Sequence, residues 1–141
     1  MSVVSTKRSS AEGNEVRTTR TAKIWEDEFG IIHAKILQGA ELILKDAIEN
    51  LDAMDKLRRN KSILLLSDMR LATSSSKEHR DYFALPRAAK AISVGAMLVK
   101  SPITKIMGNM FINFTKPPYL VKLFTSEKDA MAWLKTFLKN E

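Results

Sequence analysis

Apolar and polar residues follow two different periods along the chain, and the change between the periods predicts an α/β fold. Residues 22–37 alternate apolar and polar around a turn that contains Gly30, which is typical of a β-hairpin. Residues 62–67 and 92–99 are continuous apolar runs of strand length, as expected for central strands covered on both faces. Residues 119–124 are the last predicted strand.

Helical spacing separates these strands. A helix from about residue 42 is predicted to bury its apolar positions and to leave Asp46, Glu49 and Asn50 on its polar side; the apolar positions are Leu44, Ala47, Ile48, Leu51 and Met54. A second helix over residues 77–90 contains Pro86, which should kink or split it. Further helices begin at Ser101 and Ser126, each with the serine placed to cap. The order predicts an α/β sandwich: an N-terminal hairpin, then alternating helices and strands in a mixed, mostly parallel sheet of four to five strands.

Composition divides the chain into two parts and excludes several kinds of chemistry. Residues 1–20 are rich in Ser, Thr and Arg and poor in large apolar groups, so we predict a disordered tail followed by one domain at 21–141. The absence of cysteine excludes disulfides, thiolate metal ligands and thiol nucleophiles. No apolar run is long enough to span a membrane and no secretion signal is present, so we expect a cytoplasmic protein.

The charge balance is basic, with 23 Lys and Arg against 16 Asp and Glu and a net charge of +7. Such an excess suits an anionic partner. From residue 85 onward the cations are nearly all lysines spread over every predicted element, without the exposed aromatics and arginines that nucleic-acid binding usually adds. We therefore interpret the excess as a solvated basic surface and do not predict a nucleic-acid partner.

No arrangement typical of catalysis is present. Asp68 ends a central strand, where α/β folds place functional groups, but a general acid or base there would need a second titrating partner such as His79. Neither His33 nor His79 has neighbours at metal-ligand spacing, and there is no glycine-rich phosphate loop or nucleophile elbow. We predict no catalytic residue, no metal and no cofactor.

Two segments are candidates for binding. Ser74, Ser75 and Ser76 precede a helix, and with Arg70 and Arg80 they would suit a phosphate or carboxylate or form a phosphorylation switch; the simpler interpretation is that one serine caps the helix. The predicted third helix carries an apolar stripe that suits a protein partner or a ligand, although core packing explains the same spacing; its residues are Met107, Met110, Phe111 and Phe114.

Six segments resemble one family: residues 24–31, 64–70, 98–102, 108–111, 116–125 and 130–134. Over about residues 21–138 the chain is similar to the bacterial STAS-like proteins, relatives of the spore-forming sigma-factor antagonist. The resemblance implies a four- or five-stranded sheet flanked by helices, no cofactor, no established catalysis, and action by docking onto partner proteins.

Some STAS domains are switched by phosphorylation of a serine in an Asp-Ser-Ser-Gly-Leu-Gly motif. Here the paired serines align with Ser75 and Ser76, whereas Ser74 replaces the Asp and residues 77–79 replace Gly-Leu-Gly. We therefore predict a non-catalytic domain that binds a protein partner or a second copy of itself through Ser74–Ser76 and the helix at 103–114. The alternative is a carrier of a small amphipathic, lipid-like or anionic ligand, because the lipid carriers of the CRAL-TRIO type have a similar sheet.

Overall fold

The computed structural model describes residues 5–8, 15–101, 104 and 117–138 of the chain. Within these residues there are nine strands and four helices, in the following order: β1 (Ser5–Arg8), β2 (Glu15–Thr18), β3 (Ala22–Glu26), β4 (Ile32–Ile36), β5 (Glu41–Leu42), α1 (Leu44–Arg58), β6 (Ile63–Asp68), β7 (Ser74–Ser75), α2 (Lys77–Tyr82), α3 (Pro86–Ala91), β8 (Ile92–Leu98), β9 (Leu120–Phe124) and α4 (Glu127–Lys135).

Seven of the strands form one sheet in the order β1-β2-β3-β4-β6-β8-β9. Strands β1 to β4 pair antiparallel with one another, whereas the pairs β4–β6, β6–β8 and β8–β9 are parallel. The remaining strands, β5 and β7, form a separate parallel pair. The predicted α/β class, with an N-terminal hairpin and a mixed sheet flanked by helices, is confirmed, and the sheet has more strands than the four to five predicted.

The additional strands lie on the N-terminal side of the hairpin. The sequence places the start of order near Thr21, yet β2 begins at Glu15 and pairs with β3, with Val16 opposite Trp25 and Arg17 opposite Ile24. The side chains before Thr21 offer little apolar surface, but a strand can also join a sheet edge through its backbone N–H and C=O groups. The amino-acid composition does not indicate this contribution of backbone hydrogen bonds.

The helices cover the two faces of the sheet unequally. On one face, α1 and α3 pack against the sheet through a core that includes Ile24, Ile32 and Leu51. On the other face, α4 lies over β6, β8 and β9 and buries Leu134 against Leu66 and its neighbours. Among the described helices, α4 alone packs on this second face, and the β3–β4 side of the face contributes to a cleft described below.

The buried face of α1 differs from the one that the spacing predicts. Ala47, Leu51 and Met54 are buried as expected, but Leu44 and Ile48 are 42% and 40% exposed. The three residues expected on the polar side are buried instead: Asp46, Glu49 and Asn50. The helix is rotated because these polar groups have partners in the turn between β2 and β3, which the period of apolar residues cannot indicate.

Prolines and serines act at the helix ends as predicted. Pro86 divides the predicted second helix into α2 and α3 and occupies the first turn of α3. The hydroxyl of Ser126 accepts a hydrogen bond from the backbone N–H of Asp129 at the start of α4, and Ser101 accepts one from Thr104. The remainder of the predicted third helix lies outside the described residues.

Candidate functional site

The three serines lie in a segment that is fixed to the loop after β4. Backbone N–H groups of Thr73 and Ser76 donate to the carbonyls of Ala40 and Leu42 at 2.8 and 2.9 Å, on either side of the β5–β7 pair. Ser74 and Ser75 are therefore in a short strand, where the sequence predicts a loop. They are held at the edge where the parallel strands β4 and β6 end, which is where α/β folds commonly place binding groups.

The three serine side chains have different surroundings. The Ser76 hydroxyl caps α2 by accepting a hydrogen bond from the His79 N–H at 3.1 Å. The Ser75 hydroxyl lies 3.2 Å from Nη1 of Arg80, which also donates to the Ser75 carbonyl. Ser74 is exposed. One serine therefore caps the helix, and Ser75 is the one next to a guanidinium.

Arg70 lies on the other side of the sheet edge, with Asp68. Its Nε and Nη2 donate to the two carboxylate oxygens of Asp68 at 2.9 and 2.7 Å, and Nη2 is 3.5 Å from the Glu127 carboxylate. Burial raises the pKa of Asp68, but hydrogen bonds from Arg70 and the charges of Arg70 and Lys35 outweigh it, so that the pKa is lowered. Arg70 thus engages the start of α4, while Arg80 engages the serines.

Asp68 and His79 face opposite sides of the sheet. Asp68 belongs to the side of α4, whereas α2 packs against α1 and its His79 ring contacts Phe83 with centroids 5.4 Å apart. His79 is buried, its Nδ1 has no hydrogen-bond partner, and burial lowers its pKa. The two groups are not placed to act on one substrate.

A buried polar network joins the turn before β3 to α1, and sequence reasoning missed it. Nε of Arg20 donates to Asp46 at 2.8 Å, its Nη2 forms a second, short bond to the same carboxylate, and the Arg20 backbone N–H donates to Glu49 at 2.7 Å. Asn50 accepts from Thr19 and donates to Thr21 at 3.1 Å. The available signal was the three- and four-residue spacing of the polar residues on α1, since buried polar groups need partners.

Rotation of α1 toward this network leaves an apolar patch on the protein surface. Ile43, Leu44 and Ile48 are 46%, 42% and 40% exposed. Ile43 directly follows β5, whose residues pair with Ser74 and Ser75. We call these five residues (Ile43, Leu44, Ile48, Ser74 and Ser75) the docking surface; they lie in the first part of α1, at the residue before it, and in the strand that pairs with β5.

A cleft of about 330 Å³ opens on the opposite side of the sheet, between the β3–β4 turn and α4. We call it the acidic cleft, because its lining contains four carboxylates, one lysine and one histidine among apolar and aromatic groups. The lining residues are Trp25, Asp27, Glu28, Phe29, His33, Ala34, Lys35, Leu66, Asp68, Glu127 and Met131. Of the predicted binding residues that the structure describes, none is among them.

The other predicted features have the following outcomes. The apolar stripe Met107, Met110, Phe111 and Phe114 lies outside the described residues. Among the residues that are described, no group of three or more His, Asp or Glu is arranged to hold a metal ion. In the same part of the chain, no helix has both the length and the apolar character needed to cross a bilayer.

Comparison with known proteins identifies the fold and the family. A solved structure of an uncharacterised protein from Shewanella loihica PV-4, described as a DUF3478 family member with a SpoIIAA-like fold, is similar with a TM-score of 0.55 and 16% identity, covering 94% of this chain and 93% of that one. The fold is therefore a STAS-like (SpoIIAA-like) α/β fold, as the sequence resemblance predicts. Residues 24–138 match the model of a domain of unknown function, DUF7793, and the chain belongs to that family. A search of curated proteins found no match.

Proposed function

We propose that this domain acts by binding another protein, or a second copy of itself, through the docking surface and without catalysis of its own. The observation that carries the proposal is the orientation of α1. This helix buries Asp46, Glu49 and Asn50 while it exposes Leu44 and Ile48. When a partner covers this exposed apolar surface, its burial is favourable by about 25 cal/mol per Å² of apolar area.

The serine strand supplies the polar part of the same surface. A phosphate on Ser75 would carry a charge of about −1.5 to −2 and would meet the Arg80 guanidinium, which already lies 3.2 Å from the hydroxyl. A carboxylate of a partner would meet the same group. We therefore assign Ser75 and Arg80 as the anion-recognising pair, Ser76 as the cap of α2, and Arg70 to the pairing with Asp68.

We also propose a cytoplasmic location; a chain without cysteine is compatible with a reducing compartment. The STAS-like fold supports the non-catalytic assignment, because related domains work by docking. The opposite placement of Asp68 and His79 supports it as well, since these are the two groups that the sequence suggested for acid–base chemistry.

The test compares two charge substitutions in the full chain. Ile48→Glu places a carboxylate in the docking surface, and Lys128→Glu on exposed α4 is the matched control on the opposite face. The wild type and each variant are expressed in the organism that the chain comes from and purified by affinity. Mass photometry then measures the mass of each complex, and circular dichroism checks folding. We expect a defined complex or dimer with the wild-type and Lys128→Glu proteins and its loss with Ile48→Glu. A monomer in all three cases, or an unaffected complex with Ile48→Glu, would contradict the proposal.

A further inference from the structure

We infer that the acidic cleft binds a small organic cation, with an ammonium or guanidinium group held among the carboxylates and the chain of the ligand against the aromatic walls. The cleft faces away from the docking surface, so this inference does not depend on the proposed function. Its volume of about 330 Å³ lies at the lower end of the range of small-molecule sites.

The charge of the cleft is opposite to that of the chain. The whole chain carries +7, yet the described residues that line this cleft include four carboxylates and one lysine. Arg70, next to Asp68 and Glu127, and Lys135 at the mouth add two cations, so the carboxylates remain in excess by one. Burial raises the pKa of Asp27, but hydrogen bonds from His33 and from the N–H groups of Ile31 and Phe29 outweigh it and lower the pKa, so Asp27 is ionised at neutral pH. Asp68 is ionised as well and is matched by Arg70. Glu28 and Glu127 remain at the rim, both exposed to solvent.

The walls are suited to a cation in a second way. The Trp25 ring stacks on His33 with centroids 4.9 Å apart and an interplanar angle of 10°, and Nε2 of His33 is 2.7 Å from Asp27. These contacts hold the indole at the cleft. Phe29 is at the mouth, where the Lys135 ammonium of the chain itself lies 4.0 Å from the ring centroid. Aromatic faces attract cations, and Lys135 already uses this attraction at the rim.

An anionic ligand is disfavoured by the same arrangement. Arg70 is engaged by both oxygens of Asp68 and by Glu127, and the charge of Lys35 already acts on Asp68. An incoming carboxylate or phosphate would therefore approach Glu28 and Glu127, and the guanidinium of Arg70 beside them is already paired with carboxylates.

The test uses agmatine, which carries a guanidinium and an ammonium on a four-carbon chain, and succinate as an anionic probe. Binding is measured by isothermal titration calorimetry and by the indole N–H signal of Trp25 in ¹H–¹⁵N NMR spectra of the full chain. We expect saturable binding of agmatine that shifts the Trp25 signal and weakens with added salt. Succinate should leave the signal unchanged.

Two double variants locate the site. Glu28→Gln with Glu127→Gln should weaken agmatine binding about fivefold to tenfold, as expected for two partly solvated ion pairs. The control, Glu41→Gln with Glu78→Gln, removes the same charge from exposed positions outside the cleft and should leave the affinity unchanged. No saturable agmatine binding, equal losses in the two double variants, or a Trp25 shift with succinate alone would each overturn the inference. All four substitutions are at exposed positions, so unchanged circular dichroism is the expected folding control.

Discussion

Two alanine substitutions on α1, three residues apart, test whether the helix is rotated as described. Leu51 has no exposed surface and belongs to the core beneath α1, whereas Ile48 is 40% exposed. Truncating a fully buried leucine removes its transfer free energy and leaves a cavity, which costs about 2–5 kcal/mol. Truncating Ile48 removes much less buried surface and gains the better helix propensity of alanine, so we expect a change of no more than about 1 kcal/mol.

The measurement is urea denaturation followed by circular dichroism at low protein concentration, with the midpoint interpreted only where the m-value is unchanged. We expect a clearly lower midpoint for Leu51→Ala and a midpoint close to that of the wild type for Ile48→Ala. Equal losses for the two variants would refute the rotation of α1 and the exposed patch with it. A loss for Ile48→Ala that appears only at high protein concentration would instead show that the patch is covered by a second copy.

Three further predictions concern the buried network, a buried histidine and the hairpin turn. Asn50→Ala should lower the free energy of unfolding by about 2–4 kcal/mol, because Thr19 and Thr21 lose their hydrogen bonds to the Asn50 side chain. Urea denaturation measures the loss, and the control Lys56→Ala, on the exposed side of α1, should change the free energy by less than about 1 kcal/mol. Burial lowers the pKa of His79, so as the pH falls the unfolded chain, whose histidine has the ordinary pKa of about 6.5, takes up the proton before the folded chain does. The free energy of unfolding should therefore decrease as the pH drops below about 6.5. Urea denaturation at several pH values should show that His79→Leu removes this decrease. Gly30 has φ +82°, so Gly30→Ala should lower the free energy of unfolding by about 1–2 kcal/mol. Gly95→Ala, whose new methyl group meets Tyr119 at an ordinary 3.7 Å, should lower it less, and urea denaturation of the two variants makes the comparison.

The parts of the fold that depend on apolar pattern were predictable from the sequence. The alternation in the hairpin, the apolar runs of β6 and β8 and the proline that begins α3 all correspond to observed elements. The resemblance to STAS-like proteins adds the arrangement of these elements, and the fold comparison bears it out.

The features that depend on polar partners were not predictable in the same way. The orientation of α1 is decided by Arg20, whose partner Asp46 is 26 positions away in the chain. Ser74 likewise pairs with Glu41, which lies in a distant segment of the chain. Arg70 binds Asp68 and not the serines, although both are near it in sequence. Periodicity describes which side chains are apolar, but not which polar groups find one another.

The acidic cleft also arises from tertiary placement. Its carboxylates come from the hairpin turn, from the end of β6 and from α4, so no local sequence motif indicates that they lie together. From the sequence, Trp25 is one more member of an alternating strand. Its position beside His33 follows only from the register between β3 and β4. The cleft lies where α4, which packs over β6, β8 and β9, meets the turn between β3 and β4.

Photo-crosslinking in cells of the chain's own host tests the central claim most directly. A benzoyl-phenylalanine residue is introduced at Ile48 in the docking surface or at Lys128 on α4, both exposed. We predict a discrete crosslinked product from position 48, at twice the chain mass for self-association or at another defined mass for a protein partner, and no such product from position 128. Identical products from the two positions, or none from position 48, would contradict the account.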